Sequence, residues 1–171
     1  MATADLATIQ ANVNIGTSLN NTFVNVTVLN GASFALDMFS NVMDASVAAL
    51  AVTSLIDDTT SPTIEQFVEA DMNNGYLDLS FSEAVDRTSI DRRLIQLQST
   101  TSGNAIVYNL TGSVTSSPLS ATTIRLTLDA NDLEALQLEE NLCTTPANCH
   151  IRLLNGAVAD YSGNTVSDSV A

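Results

Sequence analysis

The sequence predicts an all-β fold, a two-sheet sandwich with one short helix, set in tandem repeats. Three observations carry this. Apolar residues are 45% of the chain and mostly Val, Leu, Ile and Ala, with aromatics at 5% and no Trp. Together with abundant Thr, that composition leans to strands over helices. Several short runs alternate apolar and polar residues between turn signals. Finally, the chain resembles itself at a domain-length spacing.

The self-match runs in order through the chain. Ala4-Asp5-Leu6-Ala7-Thr8-Ile9-Gln10 reads beside Asn131-Asp132-Leu133-Glu134-Ala135-Leu136-Gln137, and Asn14-Ile15 falls on Asn141-Leu142. Thr17 falls on Thr144, and Leu29-Asn30-Gly31-Ala32 matches Leu154-Asn155-Gly156-Ala157. Asp37 and Asn41 pair with Asp160 and Asn164, and Ser46-Val47-Ala48 reproduces Ser169-Val170-Ala171. A period of roughly 125 residues is a domain and not a solenoid unit. Residues 1–56 therefore read as the C-terminal part of one repeat and 57–62 as a linker. Residues 63–171 read as a nearly complete second repeat lacking the end of its last strand. The first copy continues as Ala49-Leu50-Ala51-Val52-Thr53-Ser54 where the second stops. A longer array is the expected parent. An unfinished strand leaves an edge that recruits another strand, so the expected partners are copies of the chain or neighbouring repeats of the same parent.

Within the second repeat, strands are predicted at Thr63–Ala70 and Tyr76–Phe81, joined by a hairpin turn at Asn73-Asn74-Gly75. Further strands are predicted at Leu94–Gln98, Ala105–Thr111, Thr123–Leu128 and His150–Leu154, with a last one near Ser169. A short turn is expected at Arg87–Asp91. One helix follows Asp129, capped by Asn131 or Asp132, with Leu133, Leu136 and Leu138 on or beside its inner face.

The charge narrows the function. The net charge is -14, from 19 acidic residues against five basic ones, all of them Arg. Such a surface repels phosphate backbones and anionic lipid, which argues against nucleic-acid and membrane-surface binding. No stretch approaches the roughly 20 apolar residues of a membrane helix. The start of the chain has no signal-peptide pattern, so a secretion signal is expected upstream.

Phe81-Ser82-Glu83-Ala84-Val85-Asp86 after an alternating strand resembles the hallmark of bacterial immunoglobulin-like domains of the surface-layer type. Asp160-Tyr161-Ser162-Gly163-Asn164 is similar to that family's Asp-x-x-Gly-Asn turn, and Asp57-Asp58-Thr59-Thr60-Ser61-Pro62 to its domain junctions. The resemblance covers about Asp57 to Ala171. It implies an immunoglobulin-like β-sandwich serving as a non-catalytic spacer or adhesive module on cell surfaces.

Catalytic groups are sparse. His150 is the only imidazole, and a Ser or Cys nucleophile needs a base with a supporting acid. An exposed or loop-packing role suits it better, and no phosphate loop, zinc spacing or EF-hand pattern occurs. No enzyme activity is expected. Cys143 and Cys149 flank a tight loop containing Pro and Asn, which predicts a local disulfide and an oxidising compartment. Asn20, Asn25 and Asn109 stand in Asn-x-Ser/Thr acceptor triplets for glycosylation. Calcium is the best metal hypothesis, with Asp57, Asp58 and Asp160 (or Asp37) as oxygen ligands at a domain junction. Arg87, Arg92 and Arg93 form the one basic spot, read first as ion-pair partners of Glu83 or Asp91. The expected function is a structural repeat of an extracellular filament, sheath or surface layer; the alternative is a spacer in a large cell-surface adhesin.

Overall fold

The computed structural model describes Thr22–Val24, Met38–Asn41 and Leu50–Val170. Asn20, Asn25, Asp37 and most of the first repeat copy lie outside these residues. Asp58–Ala171 belong to one compact unit, and Val13–Asp57 form another.

In the smaller unit, β1 (Phe23–Val24) pairs antiparallel with β2 (Leu50–Ala51), Phe23 opposite Ala51 and Val24 opposite Leu50. The ladder continues through a bond from Val52 N to Thr22 O of 3.1 Å.

The larger unit is mostly strand. β3 (Ile64–Asp71), β4 (Tyr76–Phe81), β8 (Thr115–Pro118) and β9 (Thr123–Thr127) form one antiparallel sheet in the order β3-β4-β9-β8. A second sheet runs β12-β10-β6-β7, from β6 (Ile95–Gln98), β7 (Val107–Asn109), β10 (His150–Leu153) and β12 (Ser169–Val170). A two-residue ladder joins β5 (Val85–Asp86) to β11 (Ala159–Asp160). Alternation makes the core. Leu77, Leu79 and Phe81 of β4 and Ile124 and Leu126 of β9 point inward from one sheet. Ile95, Leu97, Ile151 and Leu153 point inward from the other, and all nine belong to a single buried cluster. The β3–β4 turn forms because the Asp71 carboxylate accepts bonds from Asn73 N and Asn74 N at 2.9 Å. Gly75 completes it at φ 69°, a conformation that favours glycine.

The helix α1 spans Ala130–Leu138, and the structure corrects its details. Its cap is Asp129, whose Oδ1 accepts from Asn131 N and Asp132 N at 2.9 Å. Asn131 and Asp132 therefore lie inside the first turn. Asp132 is fully buried. There it accepts bonds from Tyr108 Oη at 2.8 Å, Thr111 Oγ1 at 2.7 Å and Gly112 N at 2.9 Å. Burial works to raise its pKa, but those bonds outweigh it and hold the carboxyl below its usual range. Leu136 packs inward as expected, whereas Leu138 is 75% exposed.

Candidate metal centre and the disulfide groove

The turn after β11 is built by one carboxylate. Asp160 Oδ1 accepts from Ser162 N and Asn164 N at 2.8 Å, and Oδ2 accepts from Asn164 Nδ2 at 2.8 Å. Gly163 supplies the left-handed residue at φ 91°. Asn164 Nδ2 also donates to Asp58 O at 3.0 Å, which ties this turn to the start of the linker. On the other side of the turn, Asp160 lies opposite Val85 in the β5–β11 ladder, bringing the preceding bend close.

Consequently Asp58, Glu83 and Asp160 converge, with one carboxylate oxygen from each lying within 4.8 Å of the others. Asp160 is buried, and Asp58 and Glu83 are half-buried. Glu83 shows what this proximity does. Desolvation first, then repulsion from Asp58 and Asp160, raises its pKa above the ordinary value. Three hard oxygen donors at this spacing are chemistry suited to a divalent cation such as calcium, which takes six to eight oxygens. Asp58 and Asp160 were expected from sequence. Asp57 is exposed and is not among the three, and Glu83 takes its place. The signal for Glu83 lay in the Phe-Ser-Glu-Ala-Val-Asp run, where it reads as an ion-pair partner for the nearby arginines until β5 meets β11.

A second feature sits at the far end of β10. Cys143 and Cys149 form a disulfide. The loop between them is organised by Asn148, whose Oδ1 accepts from Thr144 N at 3.0 Å and Thr145 N at 2.8 Å. This loop and β3 line an open groove of about 630 Å³, with His150 in its wall. Since both cysteines are oxidised, the imidazole has no thiol beside it to activate. Asn109 lies exposed on β7, where its Oδ1 accepts from Gln96 Nε2 at 2.7 Å. The three arginines are separate in their bonding. Arg93 pairs with Asp91 at 2.7 Å, while Arg92 donates to Thr111 O and Arg87 to Ser116 O.

Among the described residues, no helix is long and apolar enough to cross a membrane. Comparison with protein-family models, with curated proteins and with solved structures finds no match.

Proposed function

We propose that this chain is a non-catalytic structural repeat of an extracellular filament, sheath or surface layer, assembling through domain contacts and strand edges. The observation that carries the reading is the strand order. In chain order, β3, β4, β6, β7, β8, β9, β10 and β12 take the places of strands A, B, C, C′, D, E, F and G of an immunoglobulin-like sandwich. The two sheets then read A-B-E-D and G-F-C-C′. Among the described residues, β3 and β8 end one sheet and β12 and β7 the other, and sheet edges of this kind suit assembly through strand contacts.

One observation supports the extracellular part of the reading. The Cys143–Cys149 disulfide fits an oxidising compartment.

The test is the intact mass of the chain from its natural source, before and after reduction and deglycosylation. The reading expects two hydrogens fewer than the sequence mass, and sugar released from Asn20, Asn25 or Asn109. A bare mass with free thiols sinks the extracellular reading.

A further inference from the structure

We propose that Arg87 and Arg92 form a docking spot for a second copy of this chain, and that the spot receives the acidic C-terminal end of that copy's helix α1, Glu139 and Glu140. The inference rests on the assembly reading above and names one domain contact within it.

Local folding leaves these two arginines over. Three of the five basic residues are taken by carboxylates: Arg93 by Asp91 at 2.7 Å, Arg125 by Asp78 at 2.7 Å and Arg152 by Asp168 at 2.6 Å. The acids beside Arg87 and Arg92 in sequence are used locally. Asp86 caps the short turn Arg87–Ser89, accepting from Thr88 N at 2.8 Å and Thr88 Oγ1 at 2.7 Å. Asp91 caps Arg92–Leu94 through Arg93 N and accepts twice more from the Arg93 guanidinium. Arg92 therefore feels the Asp91 charge but receives none of its bonds. Both arginines turn to backbone instead. Arg87 Nη1 donates to Ser116 O at 3.4 Å, and Arg92 Nε donates to Thr111 O at 3.3 Å. Each bond is long, and a guanidinium has several further N–H groups to place. Thr111 and Ser116 end one uncharged stretch, Gly112-Ser113-Val114-Thr115 lying between them. Two half-buried guanidiniums thus sit at the two ends of that stretch, and among the described residues neither has an ion-pair partner.

Charge selects the occupant. On a molecule of net charge -14, most of the surface of one copy repels another. The arginine spot is where an acidic face can approach. The end of α1 is the face that gains most by doing so. Glu139 and Glu140 follow its last residue, Leu138, and its last turn holds no basic residue. A helix carries partial negative charge at that end, so carboxylates there are disfavoured and cations favoured. Glu140 is exposed and Glu139 half-buried, and neither makes a salt bridge among the described residues. Leu138 beside them is 75% exposed and adds apolar area to the contact. Each molecule thus holds an unmatched cationic spot and an unmatched anionic one, and docking answers both. Complementary charge of this kind sets which faces meet more than how tightly they hold.

The test uses sedimentation velocity on the full chain over a range of concentrations, from about 20 mM to about 500 mM sodium chloride. The expected result is association at low salt that weakens about tenfold or more as salt rises. The direction is diagnostic, because general repulsion between copies eases with salt and would promote association instead. Two charge reversals then read the contact. Arg87→Glu with Arg92→Glu, and separately Glu139→Arg with Glu140→Arg, should each associate about tenfold more weakly than the parent. Mixed in equal amounts, the two variants should recover the parent's association. The helix variant places cations where the helix end favours them and carries less net charge, so neither misfolding nor general repulsion accounts for its loss. Parent association that persists in high salt overturns the proposal, as does a mixture no better than its components. A chain monomeric at every salt overturns it too, even if a sulfated oligosaccharide binds at Arg87 and Arg92, since the occupant is then not a second copy. Association indifferent to these charges removes this contact and leaves the assembly reading standing, and the mass and sugar measurement stands apart from both.

Discussion

Asp78 and Arg125 face each other across β4 and β9 and share two bonds of 2.7 Å, Nε to Oδ1 and a terminal nitrogen to Oδ2. Asp78 points away from the side occupied by Leu77 and Leu79, yet it is only 3% exposed. The Arg125 guanidinium lies 3.5 Å over the Tyr76 ring, and its own side chain is 31% exposed. Removing the arginine strands a carboxylate that has little access to water. We predict that Arg125→Met costs about 1–3 kcal/mol, below the range for wholly buried pairs because water reaches the guanidinium. Adding Asp78→Asn should recover part of that loss, since a neutral amide is cheaper to leave unpaired. Urea midpoints at constant slope measure both. A single variant within about 0.5 kcal/mol of the parent would show that the pair carries no stability.

Asp132 fastens the helix to the loop after β7 through Tyr108, Thr111 and Gly112. Its folded pKa lies below the ordinary 3.8. The sign follows from that depression: the ionised form is favoured by folding, so its contribution is present above the unfolded value and is lost as pH falls through the folded one. Stability should therefore drop steeply below about pH 4. Asp132→Asn should cost about 1–3 kcal/mol at neutral pH and flatten that part of the profile. Chemical unfolding at a series of pH values tests it. An unchanged acid limb in the variant would assign the loss to other carboxylates.

The parts of the fold legible in sequence are those with strict alternation. Tyr76–Phe81 and Thr123–Thr127 each carry inward Leu, Ile or Phe at every second place, and the observed strands follow. The β5 and β11 ladder has two residues a side, too few for any period to register. β8 reads Thr-Ser-Ser-Pro, a turn signal by composition, and it survives as an edge strand where proline is tolerated. Asp132 reads as a helix cap because the residues that claim its side chain, Thr111 and Gly112, are distant in sequence. The metal centre shows the same limit. Asp58 and Asp160 sit where a junction and a turn announce them, but Glu83 joins them only once the chain folds.

The disulfide closes a loop of sequence separation 6, so the denatured chain loses only modest freedom. Cys143→Ser with Cys149→Ser should lower stability by about 2 kcal/mol on the loop-entropy estimate. Reductant should bring the parent down to the variant and leave the variant unmoved, as read by thermal midpoints. Equal stability of parent and variant would mean that the bonds from Thr144 and Thr145 to Asn148 already hold the loop.

Glu83 gives the sharpest test of the acidic centre. Without a cation, desolvation first and then repulsion from Asp58 and Asp160 disfavour the ionised form of Glu83 and raise its pKa. Glu83→Gln removes one charge and keeps the shape. In chelator it should therefore be more stable than the parent, by on the order of 0.5 kcal/mol given the solvent access of Glu83. Calcium should reverse the order. The parent gains stability with ion concentration by mass action, whereas the variant, short of one anionic ligand, gains less. Magnesium serves as the control, since it demands a tighter octahedral shell. Crossing of the two stability curves between chelator and millimolar calcium is the expected result. Parallel curves, with the variant ahead throughout, would mean that the three carboxylates are an electrostatic cost of the turn and hold no ion.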